Sequence, residues 1–321
     1  MISNSLLNFL CFLILMQTPD YKIWMDGKFV PWKNANVHVL THALHYGTAI
    51  FEGMRAYSTP QGPAIFRMKD HYQRLLMGVK SYSFKCNYTI DELCSATKKL
   101  VRMNKLDSCY LRPICFAGYK GIGLNISDAP FQFAIIPYPL GKFFGKDAQK
   151  GIDCQISSWR RIDSTTLSPH VKASANYLNS TLAKMEAING GYHEAIMLSE
   201  DGHVSEGSGE NLFIVRDGVL MTPPIYDGVL SGITRDTIIS FSKELGIPFK
   251  ETSILRDELY TADEVFLCGT AAEITPVRSV DRRVINSSPG KITLDLMDTF
   301  SNVVCAKDER FIRYLDFANS P

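Results

Sequence analysis

The sequence predicts a mixed α/β fold, of the α+β type, with two domains. The 321-residue chain is long enough for two domains. Asp-Gly pairs supply the positive φ angles of tight hairpins, and they lie between short apolar runs at residues 26–27, 201–202 and 217–218, so we expect antiparallel sheet. Helix signals separate these hairpins, as at 89–92, where a capping box begins a helix that we expect to reach Asn104.

A segment rich in proline and glycine, residues 137–147, divides the chain. We interpret it as a linker between a small α/β domain with antiparallel sheet at 17–136 and a larger domain at 148–321. Residues 281–320 are expected to form a surface loop and a final helix. The rest of the larger domain is expected to contain four strands, at 154–159, 194–198, 212–215 and 264–268, and two helices, at 176–188 and from Thr234 onward.

Composition and charge exclude several classes of protein. A hydrophobic content of 45%, a charged content of 21% and a net charge of +1 are typical of a globular protein, without the basic stripe of a nucleic-acid binder. The eight cysteines include no Cys-x-x-Cys pair, so we expect reduced thiols in a cytoplasmic protein rather than disulfides or a zinc site. His38, His42 and His45 have no acidic or cysteine ligand at a supporting spacing, so no metal is expected.

Residues 1–16 differ from the rest of the chain, since the run from Leu6 to Met16 is almost entirely apolar. This run is shorter than the ~20 apolar residues that span a bilayer, and it lacks the positive leading region and cleavage site of a signal peptide. We interpret residues 1–16 as an extension from an upstream start codon, with Met16 as the true start. A weak membrane or signal segment is the alternative, and no membrane partner is expected.

The stretch Val204–Phe213 contains the first group of candidate site residues. Glu206 and Glu210 enclose two glycines directly before a predicted buried strand, and glycine lets the backbone approach a ligand closely. On spacing alone, a solvated turn is the ordinary interpretation, because charged residues are mostly exposed. Lys172, upstream, is by itself an ordinary surface lysine for the same reason.

Three further segments change this interpretation: 171–178 (VKASANYL), 230–236 (LSGITRD) and 266–277 (FLCGTAAEITPV). Together with Val204–Phe213, and in this order, they resemble the fold-type IV (class IV) pyridoxal-phosphate aminotransferases. The strongest likeness is to the branched-chain amino acid aminotransferases, from about residue 23 to about residue 280. The resemblance implies a D-amino acid aminotransferase-like fold, in which the larger domain is a pseudo-barrel of strands with flanking helices and binds pyridoxal 5'-phosphate.

The resemblance also implies a residue for each part of the cofactor. Lys172 would hold the aldehyde covalently and act as general base and acid. Glu206 would keep the ring nitrogen protonated, with Glu210 as the alternative, and Tyr177 would donate to the ring hydroxyl. The phosphate would be held by residues from both domains: Arg67, Ile233, Thr234 and Thr270. Leu230 would also contact the cofactor.

Two of these phosphate residues have an ordinary structural alternative. Arg67 lies at the end of a predicted strand, before a helix that begins near Asp70, where a surface cation is common. Thr234 also suits the N-cap of the helix that follows it. Because free N–H groups at a helix start bind phosphate as well, capping and phosphate binding are compatible there.

The substrate site that the resemblance implies consists of the following residues: Tyr46, Phe51, Gly53, Tyr110, Arg112, Thr270 and Ala271. Tyr110 and Arg112 share one face of a predicted strand, and a buried arginine needs an anion, either an internal carboxylate or a substrate. The turn at 269–271 offers backbone amides to an anion. The linker departs from the family pattern Trp-Gly-x-Tyr, because Leu140 and Phe143 replace two aromatic residues that carry polar tips.

We therefore expect transamination of leucine, isoleucine and valine with 2-oxoglutarate, giving the 2-oxo acids and L-glutamate. In the family a partner subunit lends a loop to the site, so a homodimer or larger homo-oligomer is implied, with 118–123 as the candidate loop. A D-amino acid or amine transaminase, or an aminodeoxychorismate lyase, is the alternative within this fold. A non-catalytic vitamin-binding or structural protein is the alternative outside it, and the presence of Lys172 disfavours it.

Overall fold

The computed structural model describes residues 20–141, 143–285 and 289–319. The interpretation of residues 1–16 therefore concerns a segment outside the described part. Two β-sheets with helices packed around them form the fold, which confirms the predicted mixed α/β class. Within the described ranges, no helix is both long and apolar enough to cross a bilayer.

The first sheet is antiparallel. Its strands are β1 (Lys22–Met25), β2 (Lys28–Pro31), β3 (Ala49–Phe51), β4 (Met54–Tyr57), β5 (Ala64–Phe66), β6 (Cys109–Ala117), β7 (Phe131–Tyr138) and β17 (Leu315–Phe317). Their order is β17-β5-β4-β6-β7-β1-β2, and β3 pairs with β6. The Asp-Gly pair at 26–27 joins β1 to β2, so the first predicted hairpin is confirmed.

The second sheet is mixed. Its strands are β8 (Ile152–Arg160), β9 (Glu194–Leu198), β10 (Val204–Gly207), β11 (Asn211–Arg216), β12 (Val219–Thr222), β13 (Phe249–Glu251), β14 (Glu264–Gly269), β15 (Glu273–Val280) and β16 (Arg283–Val284). Their order is β10-β9-β8-β15-β14-β11-β12-β13, and β16 pairs with β15. The other two Asp-Gly pairs join β9 to β10 and β11 to β12, as predicted.

Seven α-helices are described. They are α1 (His42–Tyr46), α2 (Met68–Ser81), α3 (Ile90–Met103), α4 (Tyr177–Asn189), α5 (Ile233–Glu244), α6 (Arg256–Tyr260) and α7 (Lys291–Val304). The predicted capping box begins α3, because the Thr89 side chain accepts from the Glu92 N–H while the Glu92 carboxylate accepts from the Thr89 N–H. The prediction of Thr234 as an N-cap is wrong, since Gly232 holds that position and Thr234 lies in the first turn of α5.

The C-terminal segment differs from its prediction. Helix α7 forms as expected, but β17 follows it and pairs with β5, with Leu315 opposite Phe66. A strand of three residues is too short to give a periodic signal, and so sequence reading did not find it. As a result, the end of the chain returns to the first sheet.

Aromatic side chains form a core that joins the two sheets. Tyr57 and Phe66 of the first sheet and Phe213 and Phe266 of the second belong to one buried cluster, together with Phe300 of α7. Burial of such large apolar side chains is the main stabilising contribution in a fold of this kind. The cavity described next lies between the sheets that this core holds together.

Candidate active site

A cavity between the two sheets collects most of the residues that the sequence singled out. The side formed by the first sheet is lined by Phe51, Gly53, Tyr110 and Arg112. The opposite side is lined by Lys172, Tyr177, Glu206, Leu230, Ile233, Thr234, Thr270 and Ala271. Segments far apart in the chain therefore meet at one place, which is typical of an active site.

Lys172 lies in the segment between β8 and α4, and the first sheet holds this segment. The Phe51 N–H donates to the Lys172 carbonyl over 3.1 Å. The Lys172 amine donates to the Tyr177 hydroxyl over 2.6 Å and lies 5.3 Å from the centre of the Phe51 ring. Over the described parts of the chain, no carboxylate lies within 4.0 Å of this amine. The amine thus faces the cavity without being neutralised by an ion pair.

Glu206 is buried at the cavity on β10 and accepts from three partners. Arg161, which directly follows β8, approaches one carboxylate oxygen to 2.9 Å. The other oxygen accepts from the Asn211 side chain over 2.9 Å and from the Leu230 N–H over 3.0 Å. Burial raises the pKa of the Glu206 carboxyl, and the charge of Arg161 opposes this shift. These contacts fix the orientation of the carboxylate.

Glu210, the alternative acid, also lines the cavity but has a different environment. Its carboxylate accepts from the Gly209 N–H over 3.2 Å. Burial, followed by the charge of Glu194, raises the pKa of Glu210 to about 8. An acid that is largely protonated at neutral pH does not supply the negative charge that a protonated ring nitrogen needs. The arginine partner of Glu206 therefore makes Glu206 the better candidate.

The start of α5 forms the anion-binding end of the cavity. The first N–H groups of a helix have no partner within the helix, and the helix dipole adds positive potential there. Ile233 and Thr234 bring such groups to the cavity wall. Gly232 at the N-cap leaves room for Asn211, because a Cβ at this position would lie 1.8 Å from the Asn211 Oδ1 atom. The helix start and the Glu206 contacts thus depend on each other.

Arg74 on α2 lines the cavity beside this helix start, and sequence reasoning missed it. Its guanidinium binds the buried Glu52 with distances of 2.6 and 2.9 Å and donates to the Ser231 carbonyl over 2.8 Å. Burial opposes ionisation of Glu52, but the charges and hydrogen bonds of Arg74 and His71 hold the pKa of this carboxyl well below its usual range. The ion pair therefore fixes a cation next to the anion-binding helix.

Arg67 does not line this cavity in the part of the chain that the structure describes. Its guanidinium binds Asp70 over 2.7 Å and also contacts Asp236, the Ile233 carbonyl and Thr237. Arg67 therefore binds the outer side of α5 instead of facing the anion-binding end. The structure therefore does not place Arg67 in the cavity where the phosphate was expected, whereas Arg74, seven residues later, lines the cavity beside the start of α5.

Arg112 lies on β6 at the opposite end of the cavity. Its guanidinium donates to the Tyr110 hydroxyl over 3.0 Å and lies over the Phe51 ring, 4.6 Å from the ring centre. Its Nε atom is buried without a hydrogen-bond partner. Among the residues described, no carboxylate lies within 4.0 Å of Arg112. The internal ion pair left open by the sequence is therefore not formed, which leaves this cation for a ligand.

The turn between β14 and β15 supplies two further donors. Thr270, Ala271 and Ala272 form the loop of this hairpin, and all three line the cavity. No hydrogen bond within the described residues uses the N–H of Ala271 or Ala272. Unpaired amides in a turn bind anions, as expected from the sequence. Together with Arg112, they make this end of the cavity suitable for carboxylates.

One predicted substrate residue, Tyr46, and one of the two linker residues, Leu140, lie outside the lining of this cavity. Tyr46 on α1 does not line the cavity of its own chain within the described ranges; its hydroxyl accepts from the Gly123 N–H over 3.3 Å. It thus lies beside the loop 118–123 and is partly exposed. Of the two linker residues that depart from the family pattern, Phe143 lines the cavity, whereas Leu140 is not among its lining residues.

The fold and the cavity together define an enzyme that transfers an amino group: an amine, a buried acid paired with arginine, and an anion-binding helix start surround one space. Comparison with known proteins gives the family. The family model described as amino-transferase class IV matches residues 49–280. The chain belongs to the class IV aminotransferases, as the sequence predicted.

Similar proteins lie within this family. The branched-chain-amino-acid aminotransferase of Salmonella typhimurium is 46% identical over 304 residues, which cover 94% of this chain and 98% of that protein. The crystal structure of the Escherichia coli branched-chain amino acid aminotransferase has a TM-score of 0.92 at 44% identity and covers 94% of this chain and 100% of that one. The Thermobaculum terrenum branched-chain amino acid aminotransferase in its PLP-form has a TM-score of 0.88 at 37% identity, with coverage of 95% and 100%.

Proposed function

We propose that this chain catalyses pyridoxal-phosphate-dependent transamination of leucine, isoleucine and valine with 2-oxoglutarate, giving the 2-oxo acids and L-glutamate. One observation carries the proposal: the Lys172 amine and the Glu206–Arg161 pair line the same cavity, with the start of α5 beside them. The named relatives are branched-chain enzymes over nearly the whole chain, which supports the substrate class.

The residues present fit this cofactor. When bound, the pyridine ring supplies an electron sink that protein side chains lack. The Lys172 amine would bond covalently to the aldehyde carbon of the cofactor. Tyr177 would donate a hydrogen bond to the ring hydroxyl, and Glu206 would accept one from the ring nitrogen. The phosphate would lie at the start of α5, with Arg74 as its cation and Thr270 nearby. Each part of the cofactor thus has a matching group: a buried acid for the ring nitrogen, an amine without an ion-pair partner among the described residues for the aldehyde, and helix-start N–H groups for the phosphate.

Lys172 would also move the proton of the reaction. Its amine, held by the Tyr177 hydroxyl, would remove a proton from the α-carbon of the amino acid and later return a proton as a general acid. Phe51 and Tyr177 pack against each other with ring centres 4.8 Å apart, which excludes water from one side of the amine. The chain therefore supplies both the covalent anchor and the acid–base group in one residue.

The reaction alternates between substrates with an apolar side chain and a substrate with a second carboxylate. The substrate end of the cavity suits both. Phe51 and Tyr110 offer apolar walls to leucine, isoleucine or valine. Arg112 and the unpaired amides of the 270–272 turn offer cationic and N–H contacts to carboxylates, including the distal carboxylate of 2-oxoglutarate. One cavity can thus accept both partners without a second site.

We further propose a homodimer or larger homo-oligomer in which the loop 118–123 and Tyr46 complete the cavity of a partner subunit. The apolar side chains of Ile122 and Leu124 are 81% and 80% exposed in the single chain, and such exposure favours an interface. The seven described cysteines are free thiols, which supports a cytoplasmic location. The domain boundary is proposed at 137–147, a range that begins with the last two residues of β7 and ends before the start of β8.

Borohydride reduction tests the site directly. The holoenzyme is reduced, digested and mapped by mass spectrometry, with Lys184 as the comparison because it pairs with Glu194. The proposal predicts a cofactor adduct on Lys172 alone. An adduct on another lysine overturns the site, and no adduct favours a non-catalytic binding protein.

A substrate panel tests the reaction. Turnover with 2-oxoglutarate is compared for L-leucine, D-alanine and a simple amine, and aminodeoxychorismate is assayed separately. The proposed function predicts a clear preference for L-leucine. A preference for D-alanine, the amine or aminodeoxychorismate would instead support the corresponding class IV enzyme.

A further inference from the structure

Glu273 has a backbone conformation that few residues other than glycine adopt. It closes the three-residue loop between β14 and β15, paired with Gly269, and its φ is +55°. Hairpins of this length ordinarily place glycine at the left-handed position, because a Cβ is unfavourable there. A glutamate at such a position indicates that its side chain has a use that outweighs the conformational cost.

The partner of this side chain lies in the other sheet. A guanidinium nitrogen of Arg55 on β4 approaches the Glu273 carboxylate to 3.2 Å. The same guanidinium lies over the Tyr57 ring, 5.2 Å from the ring centre. Burial, and then the charge of Glu273, raise the pKa of the Tyr57 hydroxyl well above its usual range, so this phenol stays neutral beside the pair. The ion pair thus bridges the two sheets with a packed aromatic beneath it.

Arg55 and Glu273 are each adjacent to residues that line the substrate end of the cavity. Arg55 lies directly opposite Tyr110 in the β4–β6 pairing, so their side chains share one face of the sheet. Tyr110 in turn accepts from Arg112. On the other side, Glu273 directly follows Ala271 and Ala272. Both alanines line the catalytic cavity and a second cavity behind it that contains Arg55 and Glu273.

We propose that the Arg55–Glu273 ion pair is a positioning device that holds the 270–272 turn at a fixed distance from Tyr110 and Arg112. It thereby sets the affinity of the cavity for the substrate carboxylate. Neither residue lines the catalytic cavity, so they act through the turn amides and Tyr110. The inference rests on the proposed function, because it assumes that this end of the cavity takes the carboxylate.

The test compares two ligands of the same shape. The cofactor-loaded protein is titrated by calorimetry with 4-methylpentanoate and with 4-methylpentanamide, which lacks only the negative charge. The wild type is expected to prefer the carboxylate. Glu273→Gly and Arg55→Gln are expected to reduce this preference about tenfold, the equivalent of one hydrogen bond to a charged group. The double variant is expected to lose no more than each single variant, because the pair acts as a unit.

Two matched substitutions control for structural effects. Asp217→Gly relaxes another left-handed residue, with φ of +50°, in a hairpin that does not line the cavity. Arg216→Gln breaks another ion pair, to Glu258 at 2.9 Å. Both controls are expected to keep the preference for the carboxylate.

Three results overturn the proposal: an unchanged preference in Glu273→Gly, equal loss of affinity for both ligands, or no preference in the wild type. If Glu273→Gly unfolds, Glu273→Gln serves instead, since it removes the charge and keeps the shape. The titration requires no turnover. Failure of the proposed function would therefore appear separately, as absent turnover of L-leucine by the wild type.

Discussion

The two ends of the catalytic cavity balance their charges in different ways. At the cofactor end, apart from the reactive amine of Lys172, two ion pairs within the chain hold the charges: Glu206 with Arg161, and Arg74 with Glu52. At the substrate end, Arg112 contacts the Tyr110 hydroxyl and the Phe51 ring. Among the described residues, no carboxylate lies within 4.0 Å of Arg112, and the turn amides of Ala271 and Ala272 have no acceptor. The same kinds of group are thus neutralised at one end and left available at the other.

This difference follows from what each end has to bind. A cofactor that stays in place through the reaction needs groups held in one orientation, and ion pairs hold them. A substrate site that alternates between an apolar side chain and a second carboxylate needs donors that are free when the ligand arrives. We therefore expect substitutions at the cofactor end to reduce stability, and substitutions at the substrate end to reduce affinity.

The largest effect is expected for Glu206→Ala. Removal of this carboxylate leaves the buried Arg161 without its anion, which costs about 3–5 kcal/mol of unfolding free energy. Urea unfolding of the holoenzyme measures the loss, and the same preparation should lose transaminase activity. Glu258→Ala is the matched control, because its partner Arg216 is partly exposed and the loss there should stay below about 1 kcal/mol. Equal losses in both variants would contradict the difference between the two environments.

A smaller effect, visible in its dependence on pH, is expected for Glu210→Gln. The pKa of Glu210 is raised to about 8 in the folded protein, so its stabilising contribution is complete below the unfolded pKa and is lost as the pH rises through about 8. The thermal stability of the wild type should therefore fall between pH 6 and pH 9 more steeply than that of the variant. The difference is of order 1 kcal/mol per pH unit. Parallel pH profiles would show that Glu210 is already ionised at pH 6.

The opposite sign is expected for Glu52→Gln. Because Arg74 and His71 hold the pKa of Glu52 below its usual range, the stability that this carboxylate contributes is present above the unfolded pKa and is lost as the pH falls. As the pH falls below about 4.5, the ordinary pKa of this carboxyl in an unfolded chain, the wild type should lose its advantage over the variant, as measured by denaturant midpoints. An advantage that persisted unchanged in acid would show that packing, rather than charge, is responsible.

The smallest effect is expected at the linker, for Phe143→Tyr. This change restores the polar tip of the family pattern at a half-exposed side chain that lines the substrate end. One hydroxyl in such a place is worth less than about 1.5 kcal/mol, so the KM for L-leucine should change by less than about tenfold, with stability unchanged. A larger change would mean that the linker residue, and not the Arg112 end, governs substrate affinity.

Sequence reasoning found the groups that lie within continuous motifs. Lys172, Tyr177, Glu206, Thr234 and Thr270 each belong to a segment with a recognisable pattern, and all of them line the cavity. The three Asp-Gly hairpins and the capping box were also predicted correctly, because local backbone chemistry determines them. Local sequence therefore predicted the fold class and most of the candidate residues that line the cavity.

The site residues that sequence reasoning missed or placed differently all depend on contacts between distant parts of the chain. Arg67 and Arg74 lie two helical turns apart at α2, and only the ion pair with Glu52 shows which of them faces the cavity. Arg161 was missed because it follows a strand with no motif around it, and only the buried carboxylate of Glu206 identifies it. Within the described ranges, Tyr46 lies beside the loop 118–123 and not in the cavity of its own chain, because its hydroxyl contacts Gly123, 77 residues along the chain.

The same substitution made at each end of the cavity, Arg161→Gln and Arg112→Gln, tests whether the two ends are built differently. Each variant is assayed for unfolding free energy, cofactor retained after dialysis, and KM for 2-oxoglutarate. We expect Arg161→Gln to lose about 3–5 kcal/mol of unfolding free energy and to lose its cofactor. Arg112→Gln should lose no more than about 1–2 kcal/mol, keep its cofactor, and raise KM about tenfold or more. If the two variants behave alike in stability and cofactor retention, the two ends are not built differently and the account is contradicted.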